Sequence, residues 1–309
     1  MANTQELAAM RRAIVISAQG LGSTSPNPPV GCVILDERGN AIGEGYHLRK
    51  GQAHAEVNAL AAAGPRAVGG TAVVTLEPCN HYGRTPPCRQ ALIDARVAKV
   101  LIAVMDPTSR GEGGAAVLRQ AGIHVEQGVL AQEALLVLGP WLASTHTGRP
   151  FTTWVYGAAS DGSPDVAVIG PVAEETLALR SSHDLVLTRQ GMLEEGHPGN
   201  HNPDVFTVPA GPISDDPSKA LEGCQQAGAR SLLIEGASPQ ALTLMDAYPA
   251  DRVIAYLPAT RASWAPPPWQ FVDLFDGYRL TDVRRLQGFT RLVADRAWSG
   301  NRSTDKEMT

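Results

Sequence analysis

One histidine, one glutamate and two cysteines in the first third of the chain have the types and spacing that suit metal-assisted chemistry. His54 and Glu56 are separated by one residue, and Cys79 and Cys88 follow further along the chain. Imidazole and thiolate are preferred ligands of Zn²⁺, and three protein ligands leave a fourth position for water, which is typical of a catalytic site. A carboxylate beside that water can accept its proton and deliver it to a substrate. We therefore predict a zinc site with His54, Cys79 and Cys88 as ligands and Glu56 as the acid–base residue.

A structural zinc site and a pair of unrelated core thiols are the alternatives for this cluster. A structural site usually has a fourth Cys or His at similar spacing. His81 is available, but it lies only two residues after Cys79. A non-catalytic, zinc-stabilised assembly protein would also have no need of Glu56. The order His-x-Glu, then Pro-Cys and a second Cys, is typical of zinc enzymes that deaminate nucleobases.

Four motifs lie in and around this cluster, and eight residues separate its two cysteines. The motifs are Asn27-Pro28-Pro29-Val30-Gly31, His54-Ala55-Glu56, Leu76-Glu77-Pro78-Cys79 and Gly83-Arg84-Thr85-Pro86-Pro87-Cys88. Together they resemble the deaminase domain of the bifunctional riboflavin-biosynthesis pyrimidine deaminase/reductase family. The resemblance covers the first half of the chain, from Met10 to Phe151.

The resemblance implies a zinc-dependent hydrolase that acts on 2,5-diamino-6-ribosylamino-4-pyrimidinone 5′-phosphate, a phosphorylated small molecule. Water attacks the ring carbon that bears the exocyclic amine, Glu56 protonates the ring nitrogen and then the amine, and ammonia leaves. The substrate contacts that the resemblance implies are Asn27, His47, His81, Arg84 and Thr85. The last two would face the ribose phosphate, where a guanidinium can pair with phosphate oxygens. From the residues alone, the asparagine could equally set a turn and the two histidines could be surface residues.

One stretch of the first half departs from this resemblance. Where the family usually continues Asp-Pro-Asn-Pro, the chain has Asp106-Pro107-Thr108-Ser109-Arg110. The departure allows a small change of substrate. A deaminase of a specialised-metabolite pathway that branches from the same pyrimidine therefore stays open beside riboflavin biosynthesis.

The elements that must position these residues alternate between helical and strand patterns. A helix and a β-hairpin come first, followed by alternating strands and helices, which implies a mixed sheet covered by helices on both faces. The predicted helices are 10–20, 53–63, 87–95, 114–121 and 130–142, and the predicted strands are 30–35, 41–46, 71–76, 100–104 and 124–127. The expected fold class is α/β, with a cytidine-deaminase-like three-layer α/β/α domain. Family order adds a second, smaller dihydrofolate-reductase-like α/β domain.

The domain boundaries expected are a zinc deaminase domain over residues 1–147, a degenerate reductase-like domain over 148–299 and a polar tail over 300–309. Family order implies an NADPH-dependent reductase in the second half, but its motifs differ. Val155 stands where a lysine is expected, Glu194-Glu195-Gly196 replaces Asp-Asp-Pro, and Ala237 replaces a glycine that would let backbone approach a diphosphate. We therefore doubt NADPH as a cofactor and expect a structural or dimerising module. A shortened but working reductase, and so a complete bifunctional enzyme, is the alternative.

The second half gives a less regular pattern. Its predicted strands are 151–156, 184–188, 231–235 and 252–257, and its predicted helices are 174–181, 218–227 and 239–247. Residues 194–203 are predicted to be loop, because Gly, Pro, Asn and His dominate them. We expect His197 and His201 in this stretch to be solvent-exposed rather than to bind a second metal.

Composition and charge exclude several classes of protein. The 309 residues include 26 Lys and Arg and 31 Asp and Glu, so the net charge of −5 leaves no basic surplus for nucleic acid. No apolar run approaches the ~20 residues of a membrane span. The N-terminal residues lack the order of a secretory signal, which predicts a cytoplasmic location. Four cysteines are too few for a disulfide framework, so Cys32 and Cys224 are expected to be buried, inert thiols. A homo-oligomer is expected from the family resemblance.

Overall fold

The computed structural model describes residues 1–81, 86–158, 164–165, 173–258, 277–286 and 288–296. The chain divides into two compact units, of which the first contains Met1–Thr147 and Gly199–Phe206 and the second contains Gly148–Pro198 and Thr207–Thr309. The boundaries expected from the sequence placed all of residues 148–299 in one domain, whereas the structure groups Gly199–Phe206 with the first unit. The polar tail expected over residues 300–309 lies outside the described residues.

A five-stranded mixed sheet forms the centre of the first unit, with the strand order β2-β1-β3-β4-β5. Its strands are β1 (Gly31–Leu35), β2 (Ala41–Tyr46), β3 (Thr71–Leu76), β4 (Lys99–Val104) and β5 (His124–Gln127). Its helices are α1 (Thr4–Ser17), α2 (Ala55–Ala63), α3 (Cys88–Asp94), α4 (Gly114–Gln120) and α5 (Ala131–Thr147). The strand β1 is antiparallel to β2 and β3, whereas β3, β4 and β5 run parallel. The predicted mixed sheet is therefore confirmed.

Glycines on the first two strands let helices approach both faces of this sheet. A Cβ on Gly45 of β2 would lie 2.4 Å from the backbone nitrogen of Ala59 in α2. On the opposite face, a Cβ on Gly31 of β1 would lie 2.1 Å from the carbonyl oxygen of Ala13 in α1. Only a residue without a side chain permits such close packing. The expected three-layer α/β/α arrangement is confirmed, and α2 is seated directly on the hairpin strand.

The first helix begins earlier than predicted, at Thr4 rather than at residue 10. Asn3 accepts a hydrogen bond from the backbone nitrogen of Glu6 at 3.0 Å, and Glu6 accepts one from the backbone nitrogen of Asn3 at 2.8 Å. This reciprocal pair satisfies two helix-end donors that would otherwise lack partners. Lys99 of β4 also donates to Glu6 at 2.8 Å, which ties the helix start to the sheet.

The second unit holds a larger sheet, in which the strand order among the described residues is β12-β13-β11-β6-β10-β8-β9, with β7 beside β6. Its strands are β6 (Phe151–Ala158), β7 (Pro164–Asp165), β8 (Leu185–Leu187), β9 (Leu193–Glu195), β10 (Ser231–Glu235), β11 (Arg252–Pro258), β12 (Tyr278–Leu286) and β13 (Phe289–Arg296). Its helices are α6 (Ala173–Ser181), α7 (Pro217–Gln226) and α8 (Pro239–Ala247). Parallel pairing of β6 with β10 and β11 places the central strands in the core. This second α/β sheet domain agrees with the fold class expected from the sequence.

Two features of the structure differ from the loop of exposed histidines expected over residues 194–203. The first is β9, whose residues pair antiparallel with β8. The second is His201, which is buried and stacks on the ring of Phe206 with 3.7 Å between ring centroids. The expectation of an exposed His201 was therefore wrong, because its ring packs against buried Phe206 five residues further along the chain. His197 is exposed, as expected.

Two other expectations from the sequence concern the cysteines outside the metal group and a membrane crossing. Cys32 and Cys224 are buried free cysteines, as expected, and burial raises the pKa of each thiol. Within the described ranges, no helix combines the length and the apolar character that a membrane crossing requires.

Candidate metal centre and active site

The predicted metal ligands meet at one edge of the first sheet. The strand β3 ends at Leu76 and leads through Glu77 and Pro78 to Cys79. His54 is the residue before α2, in extended conformation, and Cys88 is the first residue of α3. The carboxyl ends of parallel strands and the amino ends of the following helices share one edge of an α/β sheet, where ligands usually bind. The topology therefore gathers residues that are far apart in the sequence.

His54, Cys79 and Cys88 form a group that could hold a metal ion. Their ligand atoms all lie within 4.8 Å of one another. The Nδ1 atom of His54 is 3.7 Å from the sulfur of Cys79 and 3.3 Å from the sulfur of Cys88. Tetrahedral zinc with ordinary Zn–N and Zn–S bonds separates such ligand atoms by about 3.5 Å. The distances and the soft donor set therefore fit Zn²⁺.

The two thiols of this group share one proton in the absence of metal. Hydrogen bonds from the Cys88 thiol and from His54 lower the pKa of Cys79 to about 4. The backbone nitrogen of Cys88 also donates to the sulfur of Cys79 at 3.2 Å. The pKa of Cys88 is raised, because its thiol is hydrogen-bonded to Cys79 and buried. The hydrogen bond with Cys79 raises the pKa of His54. A thiolate is thus already present to receive a cation, and binding of the cation would release the second proton.

Glu56 lies in the first turn of α2, two residues after His54, and only 3% of its surface is exposed. Burial raises the pKa of its carboxyl group to about 7, although the nearby His54 acts in the opposite direction. A carboxyl group with a pKa near neutrality can both accept and deliver a proton under ordinary conditions. This buried glutamate beside the candidate metal group therefore has the properties of an acid–base catalyst.

Asn27 and His47 form part of a continuous chain of hydrogen bonds beside the metal group. Lys50 donates to Oδ1 of Asn27 at 2.7 Å, and Nδ2 of Asn27 lies 3.1 Å from Nε2 of His47. Because an ammonium group can only donate, the oxygen of the Asn27 amide faces Lys50 and its nitrogen donates to His47. The other ring nitrogen of His47 therefore carries the proton and donates to the carbonyl of Ala53 at 3.1 Å.

His47 is thus held as a neutral side chain. It is 2% exposed, and burial lowers its pKa to about 4. Its ring meets the ring of His54 edge to face, with 5.0 Å between centroids. The surface position that the sequence left open for His47 is contradicted. Both ring nitrogens are occupied within the protein, so His47 orients Asn27 and the segment before His54.

The other predicted substrate contacts are placed differently. His81 is exposed, just beyond Cys79 and Asn80. Arg84 and Thr85 lie outside the described residues, in the gap between residues 81 and 86. Among the five predicted substrate contacts, the structure therefore brings Asn27 and His47 to the metal group.

Two residues that the sequence did not single out complete the site. Lys50 places a half-buried cation against Asn27, and nothing in a Lys within a polar loop distinguishes it beforehand. Glu77 is 5% exposed and accepts hydrogen bonds from the backbone nitrogens of Asp106 at 3.3 Å and Ala115 at 3.0 Å. It therefore fixes the start of α4 and the turn that leads to Cys79. Its position directly before Pro78 and Cys79 was the available signal.

A mixed sheet with one His, two Cys and a buried glutamate at its edge is typical of zinc-binding nucleobase deaminase domains. The family model described as the cytidine and deoxycytidylate deaminase zinc-binding region matches residues 3–104. The riboflavin biosynthesis protein RibD of Mycobacterium tuberculosis is 50% identical over 157 residues, which are 50% of this chain and 46% of that protein. A diaminohydroxyphosphoribosylamino-pyrimidine deaminase of Buchnera aphidicola is 44% identical over 142 residues, which are 46% of this chain and 96% of that protein. The chain belongs to the riboflavin-biosynthesis pyrimidine deaminase/reductase family.

The similarity to solved structures extends through both units. Acinetobacter baumannii RibD has a TM-score of 0.73 and 28% identity, and the match covers 95% of this chain and 99% of that chain. A Thermotoga maritima structure with a TM-score of 0.74 has 22% identity over 95% of this chain and 99% of that chain, which shows a shared fold. The RibD proteins of Mycobacterium tuberculosis and Escherichia coli match about half of this chain, and the matched part spans less than half of their own length.

Proposed function

We propose that the first unit catalyses zinc-dependent hydrolytic deamination of 2,5-diamino-6-ribosylamino-4-pyrimidinone 5′-phosphate, in riboflavin biosynthesis or a pathway that branches from it. The observation that carries the proposal is the group of His54, Cys79 and Cys88 with buried Glu56 beside it. A structural zinc site has no use for a buried carboxyl group whose pKa is near neutrality. The Buchnera aphidicola relative is a diaminohydroxyphosphoribosylamino-pyrimidine deaminase, which acts on the same class of substrate.

In this reaction water replaces the exocyclic amine of an amidine carbon, so that a C–O bond forms, a C–N bond breaks and ammonia leaves. When bound by His54, Cys79 and Cys88, Zn²⁺ would supply a water of lowered pKa near neutral pH. Glu56 accepts the proton that the attacking water gives up. It delivers protons to the ring nitrogen and then to the departing amine. Its raised pKa suits both steps.

Asn27, among the described residues of the site, has polar groups left to bind the substrate. Its amide uses one acceptor site for Lys50 and one N–H for His47. An amide has a second acceptor site and a second N–H, which are left for polar groups of the substrate. We therefore propose that His47 holds Asn27 in place and does not itself bind the substrate. Arg84 remains the proposed phosphate contact on the basis of the sequence.

We propose further that the second unit does not reduce the product. Val155 is a buried apolar residue of β6, in the position where the family resemblance expects lysine. Gly236, which precedes Ala237, donates its N–H to the Val155 carbonyl at 2.8 Å and accepts from Trp154 at 2.6 Å. Its backbone groups are thus committed within the protein rather than to a diphosphate. We also propose a cytoplasmic location, where reduced thiols persist. A homo-oligomer is proposed from the family resemblance.

A complete deaminase and reductase is the second candidate. It is favoured by the fold match to Acinetobacter RibD, which extends over 95% of the chain. Ammonia release and NADPH oxidation, followed together with zinc-loaded full-length protein and the ribosylaminopyrimidine phosphate, separate the candidates. We expect ammonia without NADPH oxidation. Oxidation of NADPH after deamination would establish the bifunctional enzyme instead.

A glutamate substitution tests catalysis against a purely structural zinc site. Glu56→Gln should lower the rate of ammonia release by roughly 10²–10⁴-fold, because it removes a general acid–base residue but keeps the shape of the side chain. Zinc content should stay at that of the wild type. Glu37→Gln, which changes an exposed glutamate of the same unit, is the matched control and should keep full activity. Equal rates for the two variants would establish the non-catalytic alternative.

A further inference from the structure

The Gly199–Phe206 segment belongs to the first unit although it lies far beyond the last helix of that unit in the sequence. It is compact around Asn202. The Asn202 carbonyl accepts a hydrogen bond from the Phe206 nitrogen at 3.0 Å, and its Oδ1 accepts one from the Asp204 nitrogen at 3.0 Å. His201 and Phe206 are buried and stacked. These bonds hold the side chain of Asn202 in one orientation, with its amide nitrogen left to contact another segment.

That contact is made with the loop that joins β2 to α2. Nδ2 of Asn202 donates to the Lys50 carbonyl at 3.1 Å. The guanidinium of the preceding residue, Arg49, donates to the Gly199 carbonyl at 2.7 Å. Two consecutive residues of the loop are therefore hydrogen-bonded to the segment. The same loop begins at His47 and leads to His54, so its backbone position bears directly on the site.

The side chain of Lys50 carries this constraint into the site. Its ammonium group donates to Oδ1 of Asn27 at 2.7 Å. The two ends of an asparagine amide have nearly the same shape, so their orientation is set by hydrogen-bond partners. A cation on one side and the acceptor nitrogen of His47 on the other allow one orientation only. Without the cation, Oδ1 of Asn27 would lose its charged donor, and the bond to Nε2 of His47 alone would hold the amide.

We propose that Lys50 and Asn202 are positioning residues for deamination. Asn202 holds the backbone of Lys50, and the Lys50 ammonium fixes Asn27 in the orientation that receives the substrate. The inference rests on the proposed function, since it concerns the same site. It also gives the second half of the chain a part in deamination, whether or not that half reduces anything, because the segment with Asn202 comes from it.

A matched pair of asparagine variants in the full-length protein tests the first link. Asn202→Asp keeps the acceptor oxygen that binds the Asp204 nitrogen but removes the donor to Lys50. Asn200→Asp makes the same chemical change two residues away in the same segment. Asn202→Asp should raise KM roughly fivefold to tenfold, as expected for one lost hydrogen bond, and leave kcat within about twofold. Asn200→Asp should behave as wild type. Equal KM values for the two variants would overturn the inference.

Lysine variants test the second link. Lys50→Met should raise KM roughly tenfold or more, since a bond from a charged donor is lost, and Lys50→Arg should recover part of the loss. If Asn202 acts through Lys50, the double variant Lys50→Met, Asn202→Asp should be no worse than Lys50→Met alone. Effects that multiply in the double variant would contradict the inference. These variants also decide the matter if Asn202→Asp fails to fold.

A spectroscopic measurement separates this inference from the proposed function. In the wild type, the ¹⁵N signals of the His47 ring should show a single tautomer with the proton on Nδ1. The Ala53 carbonyl keeps this tautomer in every variant, but Lys50→Met and Asn202→Asp should shift the Nε2 signal, because the bond from Asn27 to Nε2 weakens. No ammonia from the wild type would reject the proposed function. An unchanged Nε2 signal in both variants would reject the positioning role, whatever the activity.

Discussion

The raised pKa of Glu56 makes a quantitative prediction about the stability of the metal-free protein. The folded protein holds a proton on this carboxyl group up to a pKa of about 7, whereas the ordinary value is 4.5. Between these two pH values the folded state binds more protons than the unfolded state, so stability falls as pH rises through this range. The pKa difference corresponds to about 3 kcal/mol of unfolding free energy. Glu56→Gln lacks this titration, so its stability relative to wild type should increase by about that amount between pH 4.5 and pH 7.5.

The assay is urea unfolding of chelator-treated, reduced wild type and variant at a series of pH values. A comparison of the two proteins is needed because burial lowers the pKa of His47 to about 4, which makes stability fall as pH falls over nearly the same range. The two effects oppose each other in the wild type, and the His47 contribution cancels in the difference. Glu37→Gln, at an exposed position of the same unit, is the control for the substitution itself. If the Glu56→Gln difference is independent of pH, the carboxyl group is not held neutral by burial and the reasoning fails.

Two further predictions concern the ligand set and the packing of α2. Cys88→Ser should lower zinc affinity by at least a hundredfold relative to wild type, because a thiolate ligand is replaced by a hydroxyl; equilibrium dialysis against a chelator measures this, and Cys224→Ser is the matched control. Gly45→Ala should destabilise the protein by about 1–3 kcal/mol in urea unfolding, since its Cβ would lie 2.4 Å from backbone. Gly223→Ala in α7, where a Cβ would meet open space, should be neutral or slightly stabilising; equal losses for both glycines would contradict the packing argument.

The elements that the sequence predicted best are those whose apolar pattern and flanking turns agree. The strands Ala41–Tyr46, Thr71–Leu76 and His124–Gln127 have the predicted bounds. The hairpin formed by Tyr278–Leu286 and Phe289–Arg296 was not predicted. Most side chains of its first strand are exposed and several are charged, so the apolar alternation that identifies a strand is weak there. Its pairing with Arg252–Pro258 depends on a partner that local pattern does not contain.

The candidate site also has one part that short motifs predict and another part that they do not. The group of His54, Glu56, Cys79 and Cys88 could be proposed from short motifs, because ligand chemistry restricts the residue types and the spacing is local. The chain from Asn202 through Lys50 to Asn27 joins three segments that are far apart in the sequence. Each of its bonds uses a polar side chain in a loop, where many arrangements are equally compatible with composition. Such a network is visible only when the loops are placed in space.

The return of Gly199–Phe206 to the first unit has a consequence for how the chain is made and cut. During synthesis from the N-terminus, the first unit cannot be completed when its last helix, Ala131–Thr147, emerges. Its final piece arrives only after residues 148–198 of the other unit have been translated. For the same reason, a single cut after Thr147 would leave Gly199–Phe206 on the fragment that carries the second unit. Proteolysis at any single peptide bond between Thr147 and Gly199 would yield two fragments, neither of which carries all of the first unit.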